Sequence, residues 1–164
     1  MDNYFDPWLH EDVDIPSWEE YFLEIAGVVS KRSKDAQTKC GCVITDPYHH
    51  IVGTGYNSFV KGANDDRLPN LRPDNPINNN NPRKSKYPWF IHSEINCLNN
   101  ITINKWQYTH LIAYVTTRPC FNCIQNLWAG NVQEVYYPKK AKLAKMIEQE
   151  YDDFNFFINM VGMN

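Results

Sequence analysis

Two short stretches concentrate the side chains able to do chemistry: His92-Ser93-Glu94 and Pro119-Cys120-Phe121-Asn122-Cys123. Cys120 and Cys123 stand three positions apart, so on a helix their sulfurs project from one face and can share a metal ion. Pro119 suits a helix start. The free N–H groups and dipole there favour the thiolates that zinc requires. His92 adds a nitrogen ligand. Glu94, two residues on, points well round a helix from His92 and can stand beside the same metal without ligating it. A zinc ion with three protein ligands keeps a fourth position for water, whose pKa falls to about 7. A neighbouring carboxylate can take a proton from that water and hand it later to a departing amine. These parts suit hydrolytic deamination.

A Cys-x-x-Cys pair alone also serves redox sites and zinc ribbons. A ribbon needs a second pair, which Cys40, Cys42 and Cys97 do not supply, and a redox pair needs no His-x-Glu. Cys40 and Cys42 fall on one face of a strand and Cys97 within a helix, where free cysteines are ordinary packing residues.

The elements that must position these groups follow from periodicity. Ser17 is expected to cap a helix to about residue 32, with Glu19 and Glu20 in its first turn and Trp18, Phe22, Ile25, Ala26 and Val29 at helical spacing. Cys40–Thr45 and Ile51–Tyr56 read as a hairpin across Asp46–His50, whose His49 and His50 are expected to be exposed. Helices are expected over Ile91–Asn100, Phe121–Ala129 and Lys139–Glu150, and strands over Leu111–Thr116, Val132–Tyr137 and Phe154–Ile158. This order predicts an α/β fold of three α/β/α layers, with a mixed five-stranded sheet and helices on both faces. Residues 1–16 read as an N-terminal extension and 17–164 as a single domain. A long irregular insert at 57–88 is rich in proline and carries four consecutive asparagines, Asn78 to Asn81; loops of this length are commonly functional.

Composition limits the function classes. A chain of 164 residues, 43% hydrophobic and 21% charged, can bury a self-sufficient core. A formal charge of −3 and a pI near 5.9 argue against a dedicated nucleic-acid binder, yet a small anionic ligand needs only a few local cations. No stretch is apolar enough to span a membrane, and the acidic first residues do not read as a signal peptide, so a cytoplasmic setting is expected.

The order His-x-Glu, strand, Pro-Cys-x-x-Cys resembles the zinc nucleobase deaminases. Further segments are similar to the deoxycytidylate (dCMP) deaminase family: Ser17–Phe22, Arg32–Asp35, Ile51–Asn57, Asp65-Asp66 with Leu68-Pro69, Lys86–Pro88, and Tyr114–Thr116. The resemblance covers residues 17 to about 140. It implies the cytidine-deaminase-like fold and conversion of dCMP to dUMP, a supply for thymidylate synthesis. It also implies a homo-oligomer, commonly a hexamer, with dCTP and dTTP as effectors and Mg2+ accompanying the effector nucleotide. Position by position, His92, Cys120 and Cys123 would hold Zn2+ and Glu94 would carry protons. Asn57 would bond the deoxyribose, and the backbone N–H of Ser93, where the family usually has Ala, would hold the pyrimidine carbonyl. Lys34, Lys139 and Lys140 are the candidate phosphate ligands, with Arg118 behind them, although Lys139, Lys140, Lys142 and Lys145 also read as one solvated helix face. The chain departs from the family's Gly-Tyr-Asn-Gly-x-Pro at Ser58, Phe59 and Val60, and has Asp35 where many bacterial and phage relatives place Cys, some of them binding a second zinc there; the resemblance therefore implies one zinc ion per chain here. Deamination of another nucleotide or base, and an inactive zinc-stabilised regulatory subunit, remain the competing readings.

Overall fold

A computed structural model describes residues 7–71, 86–138 and 148–163. The main sheet has four strands: β1 (Gly41–Thr45), β2 (Ile51–Tyr56), β5 (Leu111–Val115) and β6 (Val132–Tyr136). Their order is β2-β1-β5-β6, antiparallel except for the parallel β5–β6 pair. A separate two-stranded ribbon pairs β3 (Ser58–Phe59) with β4 (Phe90–Ile91).

The central strands β1 and β5 are buried at every position, as expected where both faces are covered. Alternation divides their side chains between two cores. On one face Val43, Ile112 and Tyr114 meet Phe22 and Ala26 of α1 (Trp18–Ser30). On the other, Cys42, Ile44, Leu111, Ala113 and Val115 meet α2 (Ser93–Asn99), α3 (Phe121–Ala129) and α4 (Glu148–Val161) through Cys97, Leu98, Ile124, Leu127 and Phe154. Ser17 caps α1, its Oγ accepting from the N–H of Glu20 at 3.2 Å.

Three expectations change. The sheet has four strands and not five, because Phe154–Ile158 lies within α4. Phe154, Phe157, Ile158 and Val161 all pack on the second core, and their i, i+3, i+4, i+7 spacing is helical. The helix expected from Ile91 starts at Ser93, because Phe90 and Ile91 pair with β3. His49 is not exposed: it adopts φ 67° and stacks on Trp18 with ring centroids 4.0 Å apart, whereas His50 is solvent-facing. Most of the helix expected over Lys139–Glu150 lies outside the described residues, as does much of the 57–88 insert. The described part of that insert holds β3 and a short 3-10 turn at Asp65–Arg67.

Gly55 sets how closely β2 approaches the site. A Cβ there would collide with the backbone N of Cys97 and lie 2.6 Å from the carbonyl O of Ser93. The strand therefore seats α2 backbone to backbone.

Candidate metal and catalytic site

His92 and Cys120 are the N-cap residues of α2 and α3, each in extended backbone, and neither side chain caps its own helix. The imidazole and thiol are thus left for other partners. His92 Nδ1 lies 3.6 Å from Cys120 Sγ and 3.3 Å from Cys123 Sγ, and the three donor atoms lie within 4.8 Å of one another. A tetrahedral zinc at about 2.1 Å from nitrogen and 2.3 Å from sulfur separates its ligands by roughly 3.5–3.8 Å. One nitrogen and two sulfurs at this spacing fit zinc with a fourth position open. Among the described residues this is the one cluster of three or more His, Cys or acidic groups able to hold a metal.

The electrostatics single out Cys120 as the thiol that gives up its proton first. The Cys120 thiol is lowered to about 4, first by a hydrogen bond from Cys123 and then by His92, against the opposing effect of burial. Cys123 is held high by that same hydrogen bond and by burial. His92 is raised chiefly by its hydrogen bond with Cys120. Glu94 is 5% exposed, and burial raises its carboxyl above the ordinary range, partly offset by His92 and by Ser93. The Ser93 hydroxyl donates to Glu94 Oε2 at 3.0 Å. A buried carboxyl raised in this way is suited to carrying a proton through a reaction.

The remaining sequence candidates fall as follows. Ser93 is fully buried as the first residue of α2. Asn57 follows β2 and is enclosed by its own network: Oδ1 accepts from the Cys40 N–H at 2.8 Å, while Nδ2 donates to Thr38 O at 2.9 Å and Asp35 Oδ2 at 3.2 Å. Lys34 is exposed and pairs with Asp65 at 3.2 Å and Asp66 at 3.7 Å. Lys139 and Lys140 lie outside the described residues. Arg118 is buried, with its guanidinium 5.5 Å from the Phe154 ring centroid. Cys42 and Cys97 are core residues; Cys40, half-buried, contacts Thr117 at 3.7 Å.

Sequence reasoning missed a buried ion pair. Lys86 Nζ lies 2.5 Å from Asp35 Oδ2, with side chains 5% and 3% exposed. Both residues sit in segments quoted for the resemblance, but no local pattern links positions 51 apart. A cavity of about 410 Å³ also opens beside Arg32, Lys34, Tyr56, Lys61, Asn96 and Asn100.

Comparison with known proteins agrees with this geometry. Residues 16–139 match the family described as the cytidine and deoxycytidylate deaminase zinc-binding region. A deoxycytidylate deaminase of Pongo abelii is 32% identical over 76% of this chain and 66% of its own length. A probable deoxycytidylate deaminase of Caenorhabditis elegans is 39% identical over 71% of this chain and 54% of its own length. The chain thus spans less than two thirds of either relative. The fold is shared with a dCMP deaminase from the cyanophage S-TIM5, solved in complex with dCMP and dUMP. The TM-score is 0.60 at 19% identity, covering 93% of this chain and 94% of that one.

Proposed function

The chain belongs to the cytidine and deoxycytidylate deaminase family, and from that premise we propose that it hydrolyses dCMP to dUMP and ammonia. The observation that carries this reading is the convergence of His92, Cys120 and Cys123 beside the buried carboxyl of Glu94.

His92 Nδ1 and the two sulfurs would hold zinc. When bound, the metal supplies the Lewis acidity that makes a water nucleophilic near neutral pH. Glu94 takes a proton from the attacking water and delivers it to N3 of the cytosine as oxygen bonds to C4 and the C4=N3 double bond opens. It then carries the proton of the new C4 hydroxyl to the exocyclic amine; the C–N bond breaks as C4=O forms, and ammonia leaves. Burial serves both halves, because a raised carboxyl is neither too weak a base nor too weak an acid for the exchange. The Ser93 N–H would hold the pyrimidine carbonyl and Asn57 the deoxyribose. Lys34, Lys139 and Lys140 would serve the phosphate, each charge-assisted contact contributing about 1.5–3 kcal/mol.

Arg32 and Lys61 beside the cavity of about 410 Å³ favour an anionic effector there, in keeping with dCTP and dTTP control through a Mg2+-bound nucleotide in a hexameric enzyme of the cytoplasm. The test is turnover of dCMP, dCTP, deoxycytidine and CMP, followed by ultraviolet absorbance with and without added dCTP and magnesium. Conversion of dCMP in preference to the other three supports the reading. No conversion of any of them by the zinc-loaded chain rejects it in favour of another base or an inactive relative.

A further inference from the structure

The Asp35–Lys86 pair lies outside the zinc cluster, and nothing in the chemistry above uses it. Its surroundings show what it does. Asp35 Oδ1 accepts from the N–H groups of Gln37 and Thr38 at 2.8 and 2.9 Å, which closes the turn after α1. Asp35 Oδ2 accepts from Lys86 Nζ and from Asn57 Nδ2. Ser33 Oγ donates to the carbonyl of Asn57 at 2.8 Å, and the Asn57 and Cys40 main chains bond each other as well. Three chain segments therefore meet at the Asn57 side chain.

The chemistry of these partners leaves one orientation for the amide. The Cys40 N–H can only donate, so Asn57 must present its oxygen there. Thr38 O and the Asp35 carboxylate can only accept, so both N–H bonds of the Asn57 amide are spent on them. What remains is one lone pair on Oδ1. Asn57 can therefore receive a hydrogen bond from a substrate and cannot give one. The sugar of a deoxynucleoside 5′-monophosphate carries a single hydroxyl, the 3′-OH, which can donate.

We propose that the Asp35–Lys86 ion pair is a positioning device that clamps Asn57 as an acceptor-only group, and that the site reads the 3′-hydroxyl of deoxyribose through that clamp. The proposal rests on the dCMP reading above and deepens it. Lys86 neutralises the buried carboxylate, so that Asp35 can stay in the interior as an acceptor. Lys86 also lies six residues before His92, and its carbonyl accepts from the N–H of Phe90 in β4. The sugar contact and the metal ligand are thus set from one short segment.

The test compares dCMP with 2′,3′-dideoxycytidine 5′-monophosphate, which lacks the hydroxyl. The variant is Asp35→Asn with Lys86→Met. It keeps an oxygen for the Gln37 and Thr38 N–H groups, removes both charges, and turns an NH2 toward the Asn57 NH2. Wild-type protein should favour dCMP by about tenfold or more in kcat/KM. In the double variant that preference should fall below about threefold, through a higher KM for dCMP, with the dideoxy substrate little affected and zinc content unchanged. Lys86→Arg alone, which keeps a cation against the Asp35 carboxylate, should retain most of the preference. If the double variant melts below the assay temperature, Asp35→Asn with Lys86→Gln carries the same expectation, since the glutamine oxygen gives the introduced NH2 a partner and leaves no buried charge. Equal losses on both substrates, or an unchanged preference, would overturn the proposal and leave the pair a scaffold only. A wild-type chain that converts neither nucleotide would overturn the dCMP reading, and the sugar contact with it.

Discussion

Cys123 Sγ lies 3.3 Å from His92 Nδ1, although 31 residues separate them in the chain. Two helix starts bring them together. α2 and α3 both pack on the face of the sheet that carries Cys42, Ile44, Ala113 and Val115, and both begin at the same end of it. The site's precision therefore comes from the packing of two helices, and that packing can be perturbed.

Zinc should be present at one ion per chain by elemental analysis. Removing it by chelation should lower the melting temperature by roughly 5–10 °C, the shift expected when a ligand well above its dissociation constant is lost from a domain of this size. Cys123→Ala should lose the metal on dialysis. Zinc retained at full stoichiometry by that variant would place the ion elsewhere.

Gly55→Ala should damage the site from a distance. The added methyl meets Cys97 N and Ser93 O, both backbone atoms of the helix that carries Glu94. Overpacking of this kind costs about 1–3 kcal/mol, and displacing the Glu94 carboxyl should lower kcat/KM by about tenfold or more. Chemical denaturation and steady-state kinetics check the two effects separately.

Acid stability should depend on Asp46. Burial works to raise its pKa, but hydrogen bonds from the N–H groups of His50 and Tyr48 and from the His50 imidazole prevail and hold it below the ordinary 3.8. A depressed folded-state value means the stabilisation is complete above about pH 4 and is lost as pH falls through the lower folded value. Asp46→Ala should cost about 1.5–3 kcal/mol at pH 7. Urea melts should show the gap between wild type and variant narrowing below pH 4.

Truncating Phe154 should loosen the C-terminal helix. The ring is 6% exposed, packs in the second core and lies under the Arg118 guanidinium. Phe154→Ala should cost about 3–5 kcal/mol, measurable as a lower urea midpoint.

Much of this was legible in local sequence. Trp18, Phe22 and Ala26 announce α1 by their spacing, Ser17 marks its start, and His92, Glu94, Cys120 and Cys123 carry their chemistry in their residue types. The observed ends of β1, β5 and β6 differ from expectation by one residue. The Phe154–Ile158 run misled because a short aromatic stretch suits a strand as well as a helix, and only the contact made by Val161 exposes the longer period. The pairing of Phe90 with Phe59, the stacking of His49 on Trp18 and the Asp35–Lys86 bond are products of tertiary closure. No local pattern encodes them.

The central claim is that Glu94 is the proton carrier of a zinc-dependent dCMP deaminase. Its most direct test is Glu94→Gln, assayed for dCMP turnover beside its zinc content. The change keeps the shape of the side chain and removes its ability to take a proton, so turnover should fall by about a thousandfold or more while one zinc ion stays bound. A Glu94→Gln chain that deaminates dCMP at close to the wild-type rate would contradict the account.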